Sequence, residues 1–487
     1  MTLKNRENRQ GGRDYLYERV AKDFSRAIRE GVYGVHERMP SLRRVAQHFK
    51  VSLATAIMAY QQLEDEGLLQ SRPKTGYFVL PWNRDARPVP PNSQPAVTPT
   101  SVNVGQLALS LIQENRASRL IKLGAAVPGP DMLPLSVLSR NLAGVARRHG
   151  AQSGSYEQAQ GCLPLRRQIA RLMRQAGCRC TPQDIVITNG CLEAMTLALK
   201  VVAGHGDTIA IESPTYFGIL QAIESLGLKA LEIATDPRHG IDLAALAKAI
   251  AKHNITACML MPNFSNPLGS RMPDTHKKQL AALLAKHDIT LIEDDVYGNL
   301  SYQQPRPKAV KAFDTTGRTL LCSSFSKTLA PGLRIGWVFS QHYRQALEYQ
   351  KFLNNISTAT LPQLALAEFL SRGGYGRTIR RCVQNYRIRM EQLIQWISCY
   401  FPTGTRLSQP DGGFIVWVAL PEDIDCMVLY RQAMDKRIAI SPGVLFGARG
   451  QYTHHIRLSC AAVDPLTAKQ AIESLATLIQ RQKHQTR

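Results

Sequence analysis

The chain has 487 residues, 44% hydrophobic and 20% charged, too long for one ordinary domain and suited to a globular protein with a sizeable core. No apolar run approaches the ~18 residues of a membrane span, and Met1–Gly12 is polar and basic without an apolar stretch, so neither a membrane anchor nor export is expected. The net charge of +23 favours an acidic partner such as nucleic acid, but residues 1–80 hold only 14 Lys and Arg against 9 Asp and Glu, so charge does not locate that partner.

Leu16, Val20, Phe24, Ala27 and Ile28 recur at helical spacing and predict a helix with one apolar face, ended by Gly31 and Gly34. Ser41 is placed to cap a short helix whose inner face is Val45, Ala46 and Phe49. Ser52 caps a further helix with Leu53, Ala56, Tyr60 and Leu63 inward, and with Ser52, Thr55, Gln61 and Gln62 outward. Gly67 stops it, and Leu68–Leu80 reads as a hairpin with Arg72, Pro73, Lys74 and Gly76 near its tip. This is a helix-turn-helix followed by a wing, whose second helix would enter the DNA major groove. A three-helix protein-interaction domain has the same pattern.

Residues 81–117 read as a linker. Its 81–105 portion carries Pro81, Pro88, Pro90, Pro91, Pro95 and Pro99 without apolar periodicity, and proline favours extended chain. Beyond it, short apolar runs at Asp184–Thr188, Thr208–Glu212, Thr256–Met261, Ile289–Asp294, Thr319–Ser323 and Ile335–Ser340 alternate with amphipathic stretches such as Leu243–Lys252 and His276–Lys286. That alternation predicts a mostly parallel sheet covered by helices, with ligands at the carboxyl ends of its strands. The ten cysteines show no zinc-ligand spacing and read as reduced thiols of a cytoplasmic protein, with no metal site.

Chemistry concentrates in Ser323–Gly336. Lys327 follows an apolar strand, and its amine can form a Schiff base with an aldehyde cofactor. Ser324, Ser326 and Arg334 would supply donors and positive charge to a phosphate dianion. Thr188–Ala194 joins a strand to a helix through Gly190, and free amides at that helix start can bind phosphate. Asp294 ends another strand, where an ordinary exposed carboxylate is the alternative. Asn266-Pro267 by itself is only a turn signal.

Residues 13–80 resemble the GntR-type winged helix through Leu16-Tyr17, Met39-Pro40-Ser41-x-Arg43, Val45-Ala46, Val51-Ser52, Thr55, Ala59-Tyr60-x-x-Leu63, Glu66–Leu69 and Gly76–Val79. The resemblance implies DNA contacts from Arg43, Lys74 and Gly76, with Ser41 capping one helix and Ser52 and Thr55 at the start of the recognition helix. Leu53 stands where many relatives have arginine, so their operator sequences do not transfer.

Within a second domain expected over 118–487, residues from about 120 to 465 resemble fold-type I pyridoxal-phosphate (PLP) enzymes of the aspartate aminotransferase family. The resemblance implies that Lys327 carries PLP, Asp294 pairs with its pyridine nitrogen, and Tyr297 and Asn266 bond its phenolic oxygen. Tyr216 would stack on the ring. The backbones at Gly190, Cys191 and Leu192 would meet the phosphate, the last two side chains being incidental. Tyr156 would reach the phosphate of a partner subunit, requiring a homodimer. Arg457, in His455–Ser459, would grip the carboxylate of an amino acid.

The whole chain resembles the MocR class, a winged helix-turn-helix fused to an α/β aminotransferase-like domain. It implies a regulator of double-stranded DNA that senses a small amine or amino acid through external aldimine formation. The alternatives are an active aminotransferase carrying a DNA-binding domain, and a sensor of PLP itself.

Overall fold

Three short helices and a hairpin can close a core only if their few large side chains interlock. In a computed structural model of the chain they do so around Tyr60. The described residues are 15–29, 32–33, 37–66, 68–72, 75–79, 87–114 and 120–485, and they fall into two units that divide between Ala86 and Arg87.

The first unit contains α1 (Leu16–Arg29), α2 (Leu42–His48), α3 (Leu53–Asp65), β1 (Leu69–Arg72) and β2 (Gly76–Val79). Tyr60 is fully buried, meets Phe24 edge-on at 5.5 Å and Tyr77 at 5.0 Å, and donates its hydroxyl to the Pro40 carbonyl at 2.9 Å. Its polar end is thus satisfied inside the core. Val20, Ile28, Val45, Ala56 and Leu63 complete that core. β1 and β2 pair antiparallel from Leu69↔Val79 to Arg72↔Gly76.

Both expected caps form: the Ser41 hydroxyl accepts from Arg44 N at 3.4 Å, and that of Ser52 accepts from Thr55 N at 3.1 Å. Leu16 and Leu53, expected inward, are instead exposed. Each lies in the first turn of its helix, where no described neighbour covers that face. Gly31, Gly34, Gly67, Pro73 and Lys74 lie outside the described residues.

The second unit is built on a nine-stranded sheet. Its strands are β3 (Thr100–Ser101), β4 (Ile185–Thr188), β5 (Thr208–Ser213), β6 (Lys229–Asp236), β7 (Gly240–Ile241), β8 (Ala257–Leu260), β9 (Thr290–Asp294), β10 (Thr319–Ser324) and β11 (Gly336–Phe339). The order is β3-β6-β5-β8-β9-β10-β11-β4, with β7 on β6. The contiguous run from β6 to β10 is parallel, as alternation with helices predicts, and β11 pairs antiparallel with both neighbours. A second, antiparallel sheet, β12-β13-β15-β14, comprises Arg406–Leu407, Ile415–Ala419, His455–Ser459 and Ser441–Pro442 in that spatial order.

Of the stretch expected as a linker over 81–117, the structure describes residues 87–114, and these are docked on the second unit. Arg87 donates to the carbonyls of Ser398, Phe401 and Pro402, at 2.8, 2.8 and 2.9 Å, at the end of the helix Gly374–Tyr400. The carbonyls at and just beyond the helix end thereby gain a cation where the helix dipole favours one. The Pro88 carbonyl accepts from Leu407 N, Ser93 Oγ accepts from Thr235 N, and β3 covers the edge of β6. The helix α4 (Gly105–Glu114) then buries Ala108 and Leu111, and Glu224 accepts from Val104 N and Gly105 N at its start. Prolines do keep this chain extended; what composition cannot show is that an extended chain has partners.

Candidate functional site

The strand ends of β9 and β10, the turn after β4, the loop after β8 and strand β15 converge on one cavity of about 740 Å³. Cys191, Leu192, Tyr216, Asn266, Asp294, Tyr297, Ser324, Ser326, Lys327, Arg334 and Arg457 all line it. Two expected residues do not. Gly190 lies just beneath, and Tyr156 is 83% exposed and absent from the lining.

Lys327 Nζ donates to the Ala126 carbonyl at 2.6 Å and stands 5.8 Å from the centre of the Tyr297 ring. Burial, helped by the nearby Arg457 charge, pulls its pKa down to about 8, against the pull of Asp294. An amine with this pKa is partly neutral at physiological pH, and the neutral form is the nucleophile. The rate of capture of an added aldehyde should therefore rise with pH and level off above about 8; stopped-flow absorbance over that range measures it. A rate independent of pH would contradict this environment for Lys327.

Asp294 Oδ1 accepts from Val296 N at 3.0 Å and from the Cys191 thiol at 3.4 Å. Burial pushes its pKa up to about 6, against these hydrogen bonds. Such a carboxylate suits a partner that brings a proton or positive charge. The Cys191 side chain, expected to be incidental, thus touches the acid.

Tyr297 Oη is buried without a hydrogen-bond partner, and burial raises its pKa. A solvent-free phenol aimed at a cavity costs stability unless a ligand accepts from it. Among the described residues nothing else meets this need.

Arg457 is buried on β15. Nη1 donates to Asn266 Oδ1 at 2.9 Å, and Nη2 donates to the Gly124 carbonyl at 2.5 Å and to Ser441 Oγ at 3.1 Å. Its Nε has no partner, and burial lowers its pKa from the ordinary arginine value. The Phe446 ring lies 5.0 Å from the guanidinium carbon.

The helix Cys191–Val202 begins without a side-chain cap, leaving its first amides toward the cavity. Arg334, at φ +55°, reaches back to the Asn189 carbonyl at 2.8 Å. Gly190 has φ +95°, and a Cβ there would stand 2.5 Å from Arg334 Nη2. The glycine leaves room for the guanidinium beside those amides, a cradle for a phosphate. Gly190→Ala should strain the turn by ~1–3 kcal/mol, displace Arg334, and weaken PLP binding tenfold or more. A fluorescence titration with PLP measures this, and unchanged affinity would contradict it.

Sequence reasoning missed the segment Lys122–Pro130, which lines the cavity and whose Gly124 and Ala126 carbonyls accept from Arg457 and Lys327. Carbonyls carry no sequence signature. The available signal was Gly124, where a Cβ would lie 2.4 Å from the Ile440 carbonyl carbon. In the first unit, Arg43, Ser52 and Thr55 sit at the starts of α2 and α3, and Arg43 and Ser52 are exposed. Gly76 has φ +109° with the Arg38 Nε 3.3 Å from its would-be Cβ, so Arg38 joins the basic residues near the wing.

Orphaned phenol, phosphate cradle, buried acid and lowered lysine together fit PLP. A winged helix preceding a fold-type I aminotransferase domain defines a class of transcription regulators. Residues 16–79 match the family described as "Bacterial regulatory proteins, gntR family", and residues 131–475 match "Aminotransferase class I and II". The chain is 37% identical to the uncharacterized HTH-type transcriptional regulator YjiR of Escherichia coli over 96% of its own length and 99% of that protein. It is 35% identical to E. coli YdcR, likewise called an HTH-type transcriptional regulator, over 95% and 99%. The multiple substrate aminotransferase of Thermococcus profundus superposes with a TM-score of 0.72 at 27% identity, covering 78% of this chain and 95% of that one. LysN, an α-aminoadipate aminotransferase of Thermus thermophilus crystallised with N-(5'-phosphopyridoxyl)-L-leucine, gives 0.71 at 25%, covering 77% and 97%. The chain belongs to the MocR-type regulators, which join a GntR DNA-binding domain to an aminotransferase class I and II domain. No helix among the described residues is long and apolar enough to cross a membrane.

Proposed function

We propose that this regulator binds PLP at Lys327 and senses a small amine or amino acid through external aldimine formation, changing its hold on double-stranded DNA. The observation that carries this reading is the convergence of Lys327, Asp294, the unpartnered Tyr297 hydroxyl and Arg457 on one cavity, in a chain that begins with a winged helix. PLP supplies an aldehyde for the lysine and a protonated ring as electron sink. Asp294 holds that proton, Tyr297 and Asn266 serve the phenolic oxygen, and Tyr216 flanks the ring. Ser324, Ser326, Arg334 and the amides from Gly190 to Leu192 hold the phosphate. Lys327 would hold PLP through its amine and would be freed as an amine when an amine ligand exchanges with it, one C–N bond replacing another, so no external oxidant is needed. Arg457 selects carboxylates.

The exposed Tyr156 supports a homodimer in which it reaches the partner's phosphate. Two winged helices would then read two half-sites in the cytoplasm, with Ser41, Arg43, Ser52, Thr55, Lys74 and Gly76 at the DNA. Binding should weaken as salt rises, and Arg43→Ala should lower the salt slope by about 2, one contact from each subunit, while weakening all sequences alike. Fluorescence anisotropy on operator DNA, with and without amines, tests both halves. Operator affinity that ignores every amine while the visible band responds would sink the sensing role.

A second reading is favoured by the same residues, because nothing needed for transamination is lacking. Sustained formation of a new amino acid from a donor and a keto acid would make the protein an enzyme as well.

A further inference from the structure

The cavity carries one cation that the reading above leaves unused. Lys122 lines it, half-buried. Among the described residues its ammonium has no hydrogen-bond or ion-pair partner. The other lining cations all have work. Arg334 is tied to the Asn189 carbonyl, Arg457 to Asn266 and Lys327 to the Ala126 carbonyl, and the reading above gives them the phosphate, the ligand carboxylate and the cofactor. Among the described residues lining the cavity Asp294 is the sole acid, and the reading above gives it the pyridine nitrogen. Once a phosphate, a ring and an α-carboxylate are in place, the charge of Lys122 alone has no counterpart.

Its position is fixed by backbone. Ile121 N donates to the Arg437 carbonyl and Gly124 N to the Ala439 carbonyl, clamping 121–124 beside 437–439. Gly124 then receives the Arg457 guanidinium. Two peptide units separate Lys122 from Gly124, which limits their Cα separation to about 7 Å. Lys122 and Arg457 thus line the same cavity, with the backbone two residues after Lys122 held by the guanidinium. The remaining wall includes Val127, Met195, Phe217 and Met261, apolar surface suited to a methylene stem.

We propose that Lys122 is the specificity residue for the effector's side chain, and that the effector is an amino acid with a second, side-chain carboxylate. This inference rests on the sensing role proposed above. A carboxylate on the stem pairs with Lys122 while the α-carboxylate pairs with Arg457, giving two charge-assisted contacts a monocarboxylate cannot make.

The test is titration of the full-length, PLP-loaded protein with L-glutamate, L-2-aminoadipate and L-norleucine, followed by the shift of the visible band. At least one dicarboxylate should bind tenfold or more tightly than norleucine. Lys122→Met should reduce that ratio to near one while leaving norleucine affinity unchanged, and Lys122→Arg should retain much of it. Equal affinities in the unaltered protein, or a ratio unmoved by Lys122→Met, would overturn the assignment while leaving the sensing role intact. A band that no amino acid shifts would overturn both. Loss of the band in Lys122→Met alone would overturn it too, by showing that Lys122 serves the cofactor rather than the effector.

Discussion

Lys327→Ala should give a folded protein that cannot form the absorbing covalent adduct with PLP and whose visible spectrum no longer responds to amines. Among the described lining residues the other amine is that of Lys122, on a different segment held by the backbone bonds of Ile121 and Gly124, and the two arginines carry no nucleophilic amine. The variant also has a signature that does not depend on the cofactor. The folded pKa of Lys327 is about 8, below the ~10.4 of an unfolded lysine. Burying the charged form therefore costs stability below pH 8, and the cost fades as pH rises from 8 to about 10.4. Without PLP, the unaltered protein should gain stability relative to Lys327→Ala across that window and not below it. Thermal melts of both proteins from pH 7 to 10 measure the difference. A constant difference would mean that the lysine is solvated in the apo protein.

Arg457→Ala should retain the visible band and lose affinity for amino acids. The guanidinium is buried with its Nε still unpartnered, so a carboxylate meets a desolvated cation already oriented by Asn266, Gly124 and Ser441. Charge-assisted contacts of this kind contribute ~2–4 kcal/mol, or about 30- to 1000-fold in Kd. Amines without a carboxylate should bind nearly as before, which separates a lost carboxylate contact from a collapsed cavity. Arg457→Lys should rescue little, since a point charge cannot reproduce the planar fork that reaches three partners. Equal losses for amines with and without a carboxylate, in band-shift titrations, would contradict the assignment.

Much of the sheet was legible because its central strands are buried on both faces and so read as unbroken apolar runs, as in Thr319–Ser324. β6 was not legible. Glu232 interrupts its run, and only the fold shows that this acid is satisfied inside by Ser213 Oγ and Gln451. The site was legible wherever a side chain carries the chemistry, as at Lys327, Asp294 and Arg457. It was silent where the backbone does, as at Gly124 and Ala126, and where packing alone decides, as with Leu53. The thiol of Cys191 was legible as a residue but not as a neighbour of Asp294, because they meet from turns 103 positions apart.

The docked strand β3 also bears on where this protein can be divided. A boundary drawn by composition, at residue 118, would cut away the two residues that cover the edge of β6 and would leave the carbonyls of Ser398, Phe401 and Pro402 without Arg87. A shortened chain of that kind would present a bare sheet edge, a template for strand addition between molecules. The joint between the two units therefore falls at Arg87, and the proline-rich chain that follows it closes an edge that would otherwise be open.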